Sequence, residues 1–324
     1  MSDTQRPGYP KTTQSPEVLE AKMAETMAAL KARYGDRLLD TLEADVMRKE
    51  FTYEDYLEIP ALLSLQTTLT EYHDEKIFKV YHQQTELWFS LVLHELQRAI
   101  RVLNQPESDF VLARTSVERS IRYFDVLTSS YSVLIDGLST DEFLMYRKAF
   151  GTSSGFQSAQ FRAIEIVSGL ERMNPNDDGA APTFYWERAA RHLTTNEPTL
   201  TLTKFKERHL TYLNALYENR EPNSLRIAFL HGVERAFGAK ENLGVLLGEL
   251  MAGASEAKKL ADMMIDYDMA VVNWKQEHFK VVMKHMPRVS EGTGGTNWKE
   301  YLANSIKQQR FFPELHEAKD RIQA

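Results

Sequence analysis

The sequence predicts an all-α fold, with a single large helical domain over residues 16–324 behind a mobile tail of residues 1–15. Three observations carry the prediction. Apolar residues recur at three- and four-residue intervals through most of the 324 positions, no alternating pattern extends beyond a few residues, and no internal repeat divides the chain. A chain of this length buries a sizeable core, and no break in composition splits it.

Ser15-Pro16-Glu17 is a helix start, with a serine to cap and proline in the first turn; Val18, Met23, Met27 and Leu30 continue it to about Tyr34. Thr52 and Asp55 bracket a second start, leading through Tyr53, Tyr56, Leu57 and Ile59. Roughly Glu75 to Asn104 is the longest amphipathic stretch of this half, and Asp109 to Ile135 follows, ending at Gly137 as a left-handed C-cap. Ser139 or Thr140 caps a short helix carrying Phe143, Tyr146 and Arg147. That helix stops at Gly151-Thr-Ser-Ser-Gly155, and helix resumes at Phe156. Asn174 to Pro182 reads as a surface loop, with helices after it near 184–192, 200–219 and 224–237. Glu241 to Met286 is helical almost throughout, broken near Gly253. Glu291-Gly-Thr-Gly-Gly-Thr-Asn-Trp298 interrupts the pattern before a last helix and Phe311-Phe-Pro-Glu-Leu315.

Charge and composition exclude several classes of function. A net charge of -7 and no basic stripe argue against nucleic acid or an anionic membrane as a partner. With no cysteine, the chain has no disulfide, thiolate-ligated heme, iron–sulfur cluster or cysteine zinc site. Any metal must use His, Asp or Glu. The polar N-terminus lacks an apolar h-region and no run approaches ~18 apolar residues, so the expectation is a soluble, cytoplasmic protein.

The chemistry-bearing residues begin with Phe78-Lys-Val-Tyr-His82-Gln-Gln-Thr-Glu86-Leu-Trp88. Phe78, His82 and Glu86 are four apart and share a helix face, while Trp88 and Leu91 form a neighbouring apolar row. His82 is either plain packing, with Glu86 as a hydrogen-bond partner one turn on, or the roof of a cofactor pocket. His278 lies on the apolar face of a long helix between Trp274 and Val281/Val282, as a satisfied core residue or a ligand. Neutral imidazole is the one heme ligand this composition offers apart from Met and Tyr. Asp266 and Asp268, on the same helix, do not easily reach its free nitrogen. A di-iron bundle needs Glu-x-x-His pairs and a zincin needs His-Glu-x-x-His, and neither motif is present. Arg147 is a structural ion-pair donor or a fork for a substrate carboxylate. Gly292-Thr-Gly-Gly-Thr296 follows a helix rather than a strand, so a dinucleotide reading fails. It is either a connector or a loop whose backbone N–H groups and Thr293 hydroxyl close over anionic or zwitterionic groups.

In this order the pieces resemble the tryptophan 2,3-dioxygenase family, of the heme-dependent aromatic oxygenases, from about Phe51 to Leu315. The matching stretches are His73-Asp-Glu75, Phe78 to Trp88, Arg147, Ser153-Ser-Gly-Phe-Gln-Ser158, Trp274 with His278, Gly292-Thr-Gly-Gly295 and Phe311-Phe-Pro-Glu-Leu315. The resemblance implies heme b, with His278 as proximal iron ligand beside Trp274 and His82 as the distal histidine meeting the indole N–H. It implies Phe78 and Phe143 as walls of the indole pocket, and Arg147 as a bidentate holder of the carboxylate. Thr293 is implied to contact the ammonium or carboxylate, and Ser154 to lie near the distal side of the heme. Tyr53, Tyr56 and Leu57 resemble a segment that completes a neighbouring subunit's pocket in a helical homotetramer. The implied reaction is insertion of both atoms of O2 across the indole C2–C3 bond of L-tryptophan to give N-formylkynurenine, with no external reductant.

Two departures fall around the Thr293 loop. The stretch between His278 and Thr293 is one residue longer than the family pattern, and Thr296-Asn297-Trp298 stands where the family has small residues. They make a heme-dependent monooxygenase of a tryptophan derivative or other aromatic amino acid, in a natural-product pathway, the alternative outcome. A non-catalytic heme or tryptophan sensor is a third reading, and the joint presence of His82, Arg147 and Thr293 argues against it.

Overall fold

The structure is a computed structural model that describes residues 15–35, 52–173, 181–192, 195, 197–286, 297–307 and 310–323. Thr293, the Gly292–Thr296 turn, the tail up to residue 14 and positions 174–180 of the expected loop lie outside the described residues. Among the described residues the structure is helical, and β-structure is confined to the isolated bridges Met173–Thr183 and Arg191–Pro198. No described helix is long and apolar enough to cross a membrane.

The chain divides into two compact units, one up to Leu65 and one from Gln66 onward. The first holds α1 (Pro16–Tyr34), α2 (Tyr53–Leu57) and α3 (Ile59–Ser64). Pro16 opens α1, but the Ser15 side chain makes no capping bond, so the expected serine cap is corrected to a proline start. Thr52 and Asp55 do form a capping box on α2, each side chain taking the other's backbone N–H at 3.2 Å.

The second unit is built around α4 (His73–Leu103), α5 (Phe110–Gly137) and α13 (Glu256–His285). Between them in the chain come α6 (Thr140–Tyr146), α7 (Ala159–Ser168), α8 (Tyr185–Ala189) and α9 (Leu200–Glu218). They are followed by α10 (Arg220–Asn223), α11 (Leu225–Phe237) and α12 (Leu243–Ala252). Helices α14 (Trp298–Lys307) and α15 (Pro313–Gln323) come last.

Helix α5 packs along both α4 and α13. The reason is legible in the spacing: Phe89, Val92, Leu96, Ala99 and Leu103 on α4 meet Val117, Phe124, Leu127 and Leu134 on α5, all buried. Each of the larger side chains contributes ~1.5–3 kcal/mol when fully buried, so this seam fixes the helices that carry the site. Trp88 packs partly buried beside Tyr123, at 5.5 Å between ring centroids, whereas Leu91 is exposed, so the two do not share an environment.

Helix ends follow the polar residues that can take a free N–H. Asp109 accepts from Leu112 at 2.8 Å and Ser255 from Lys258 at 3.2 Å, and Ser255 opens α13 just after the break at Gly253. Gly137 is a correction: it is the last helical residue, and its φ is not positive. The chain leaves the helix instead through an extended Leu138, whose side chain is buried, while the next N–H, from Ser139, donates to Asp74 Oδ2 at 2.7 Å. Helix also resumes later than expected. Gly155–Gln157 is a 3-10 turn, and the α-helix starts at Ala159 with Ser158 as its cap.

Candidate active site

Phe78 and His82 lie one turn apart on α4, with ring centroids at 4.1 Å. His82 Nδ1 is 2.7 Å from the Phe78 carbonyl oxygen. A carbonyl only accepts, so this nitrogen carries the proton and Nε2 keeps a free lone pair. Burial holds the imidazole below its ordinary pKa, against the opposing pull of the Phe78 carbonyl and the Glu86 carboxylate. Glu86 does not bond His82: its Oε2 and its carbonyl both accept from Gln160 Nε2 at 2.9 Å.

Helix α6 brings the next residues to this face. Its N-terminus is pinned twice to α4. Asp74 accepts the Ser139 N–H, and Glu142 Oε2 accepts the Asp74 N–H at 3.2 Å. Phe143 consequently stands 5.8 Å from Phe78, and Phe150, from the 3-10 turn Arg147–Phe150, stacks on Phe78 at 5.3 Å. Tyr146 lies 5.9 Å from Phe78, fully buried. Burial, and then the carboxylates of Asp74, Glu75 and Glu142, push its hydroxyl pKa up, so the phenol stays protonated.

The Arg147 guanidinium carbon sits 6.0 Å from the Phe143 ring centroid. Its Nε is buried with no hydrogen-bond partner, and burial alone lowers its pKa, with no carboxylate beside it among the described residues. The structural ion-pair reading therefore has no counter-ion here. A guanidinium fork at the edge of an aromatic wall, with no carboxylate beside it among the described residues, can take one from a ligand.

His278 comes from α13. Its ring lies parallel to Trp274, 6.1 Å away at 7°, and is stacked on Tyr131 of α5 at 5.9 Å and 24°. Among the described residues neither ring nitrogen makes a hydrogen bond. Its pKa is pushed down to about 4, by burial first and then by the His82 imidazole, so the ring is neutral at pH 7. Asp268 is committed elsewhere: it accepts the Phe311 and Phe312 N–H groups at 3.0 and 3.3 Å and faces His316 Nε2 at 3.0 Å. Among the described residues the buried Trp274 indole N–H has no acceptor. A neutral imidazole with no hydrogen bond on either nitrogen among the described residues has a lone pair free for a metal, so His278 would fit as the ligand of a heme iron.

The structure thus brings together Phe78, His82, Phe143 and Arg147 on one side and Trp274 with His278 on the other. Ser154 caps the 3-10 turn with its hydroxyl, accepting from Phe156 N at 3.3 Å. Tyr53, Tyr56 and Leu57 belong to the first unit, where Tyr53 and Tyr56 are 76% and 77% exposed.

Sequence reading missed Phe150, Tyr131 and a buried ionic group. Both aromatics carried a helical-spacing signal: Phe150 is three residues beyond Arg147, and Tyr131 stands between Leu127 and Leu134 on the apolar face of α5. In the ionic group Glu165 accepts from Arg162 Nη1 at 2.9 Å, from the Tyr185 hydroxyl at 2.9 Å and from Lys275 Nζ at 3.0 Å. Arg162 also bonds the Tyr301 hydroxyl and the Phe156 carbonyl, next to the Ser154 turn. Burial pushes Lys275 down to about 8, against the attraction of Glu165.

The family model described as tryptophan 2,3-dioxygenase matches residues 39–216. The tryptophan 2,3-dioxygenase of Caulobacter vibrioides is 31% identical over 281 residues, covering 85% of this chain and 100% of the relative. That of an Arthrobacter species is 30% identical over 290 residues, 87% of this chain and 96% of its own length. The Bacillus anthracis enzyme is 28% identical over 287 residues, 85% and 94% of the two chains. A match that covers more than half of the chain, together with relatives aligned along nearly their whole length, leads to one conclusion: the chain belongs to the tryptophan 2,3-dioxygenase family of oxidoreductases.

Proposed function

We propose that this protein is a heme-dependent oxygenase that cleaves the indole C2–C3 bond of L-tryptophan with O2 to give N-formylkynurenine. The observation that carries the reading is the pairing of two half-buried imidazoles with an aromatic wall and a guanidinium that no described carboxylate compensates. Among the described residues His82 Nε2 accepts no hydrogen bond, His278 has no bond on either nitrogen, and Arg147 has no carboxylate beside it. Bound at His278, heme b supplies the iron chemistry that lets O2 react with the electron-rich indole, and both oxygen atoms stay in the product.

The protein's own residues bind, orient and keep water out. Phe78, Phe143 and Phe150 wall the indole, and Arg147 takes the carboxylate in a bidentate clamp. His82 accepts the indole N–H at Nε2, because Nδ1 is already occupied by the Phe78 carbonyl. Its role is positioning, and its lowered pKa keeps it neutral and able to accept. Ser154 lies near the distal side of the heme, and Thr293, outside the described residues, contacts the ammonium or carboxylate. In a homotetramer, Tyr53, Tyr56 and Leu57 complete a neighbour's pocket, and their exposure on the first unit supports that role.

Replacing Arg147 by alanine raises the KM for L-tryptophan by roughly 10–100-fold, the worth of a lost charge-assisted hydrogen-bond pair. Heme content, read as absorbance per protein, is unchanged. Equal loss of heme and of substrate affinity overturns the clamp assignment.

A second reading is a monooxygenase acting on a tryptophan derivative. It is favoured by Trp298, a bulky side chain buried against Phe279, which is the neighbour of His278. One experiment decides between them: anaerobic reduction of the heme-loaded protein, addition of L-tryptophan and isotopically labelled O2, and mass spectrometry of the product. Two labelled atoms in a ring-opened product are expected. One labelled atom, or turnover only of a derivative with added reductant, overturns the dioxygenase reading.

A further inference from the structure

His285 is the last residue of α13, two turns after His278 on the same helix, and is 2% exposed. Its Nε2 is 2.9 Å from the Leu134 carbonyl on α5, and its Nδ1 is 3.0 Å from the Thr140 hydroxyl at the start of α6. The carbonyl only accepts, so Nε2–H donates to it and Nδ1 accepts from Thr140 Oγ1. The imidazole therefore uses both nitrogens to join three helices. Lys284, next to it, donates to the Ile135 carbonyl and reinforces the junction.

The junction bears on the pocket through Phe143. Thr140 lies one turn before Phe143 on α6, and the Phe143 ring is 5.6 Å from the His285 ring. Helix α6 thus has two ties: Asp74 holds it to α4, the helix of His82, and His285 holds it to α13, the helix of His278. Apolar packing at position 285 would fill the same space without fixing register, because hydrogen bonds are directional and apolar contacts are not. We propose that His285 is a positioning residue that sets substrate affinity, by locking the Phe143–Arg147 wall to the helix that carries His278. The inference rests on the functional reading above and deepens it.

Three single variants and one double variant of the heme-loaded full chain test the proposal. His285→Leu keeps the bulk and removes both bonds, Thr140→Val removes the partner hydroxyl, and His285→Gln can restore a donor and an acceptor. In His285→Leu and in Thr140→Val, KM for L-tryptophan rises about tenfold, the worth of one directed hydrogen bond, while kcat and heme content stay close to the parent's. The double variant His285→Leu/Thr140→Val is no worse than either single one, and His285→Gln recovers most of the affinity. Backbone amide exchange over residues 140–147 speeds up in both weakened variants.

An unchanged KM with only a lower melting temperature, or additive effects in the double variant, overturns the proposal. Should the parent protein fail to turn over L-tryptophan, the functional reading fails. The exchange measurement then decides alone whether His285 holds α6, and unchanged exchange in both variants sinks that too.

Discussion

Replacing His278 by alanine is expected to yield folded protein that purifies without heme. The side chains beside it cannot take its place. Trp274 offers only an N–H, and burial raises the pKa of the Tyr131 hydroxyl, so that phenol stays protonated and is no phenolate ligand. Replacing His82 by alanine separates the two imidazoles: that variant keeps its heme and loses affinity for L-tryptophan. Added imidazole, free to enter the space left at position 278, restores heme uptake in His278→Ala. The measurement is heme absorbance per protein after purification, with a thermal melt to show that the fold is intact. A full heme complement in His278→Ala disproves the proximal assignment, and loss of heme in His82→Ala instead would reverse the two roles.

The second large effect concerns stability and lies behind the site. Glu165 is fully buried and is the carboxylate that both Arg162 and Lys275 contact. Changing Glu165 to glutamine leaves two buried cations facing an amide, and stranding a buried charge costs about 3–5 kcal/mol. At roughly 2–4 °C per kcal/mol for a domain of this order of size, the melting temperature falls by about 10 °C. Lys275→Met is the control. Arg162 still pairs with Glu165 at 2.9 Å, and the cost of keeping a buried ammonium disappears, so the change stays within ~1.5 kcal/mol. Thermal unfolding of both variants reads the contrast. Equal losses in the two would show that the network is not organised on Glu165.

Much of the fold is legible without coordinates. Apolar residues at 89, 92, 96, 99 and 103 return to one face of a 3.6-residue helix, and Asp109, Ser139 and Ser255 stand where a first-turn N–H needs an acceptor. The same local logic places Phe78 over His82, one turn apart. It fails where a local preference has a tertiary competitor. Gly137 could have capped α5, but Leu138 gains more by turning extended into the core while Asp74 takes the next N–H. Glu86 could have reached His82, but Gln160 from α7 claims it.

What the sequence alone determined is most of the longer helices, several of their polar caps and which residue types each buried face carries, because these depend on contacts between residues three or four apart. Only the tertiary structure decided that Gln160 takes Glu86 away from His82, that no carboxylate stands beside Arg147 among the described residues and that Glu165 serves Lys275 as well as Arg162. It also decided that His285 joins three helices. These relations depend on how helices far apart in the chain pack together, as α5 does along α4 and α13. No spacing rule within one helix encodes which side chain of another helix fills the space opposite it.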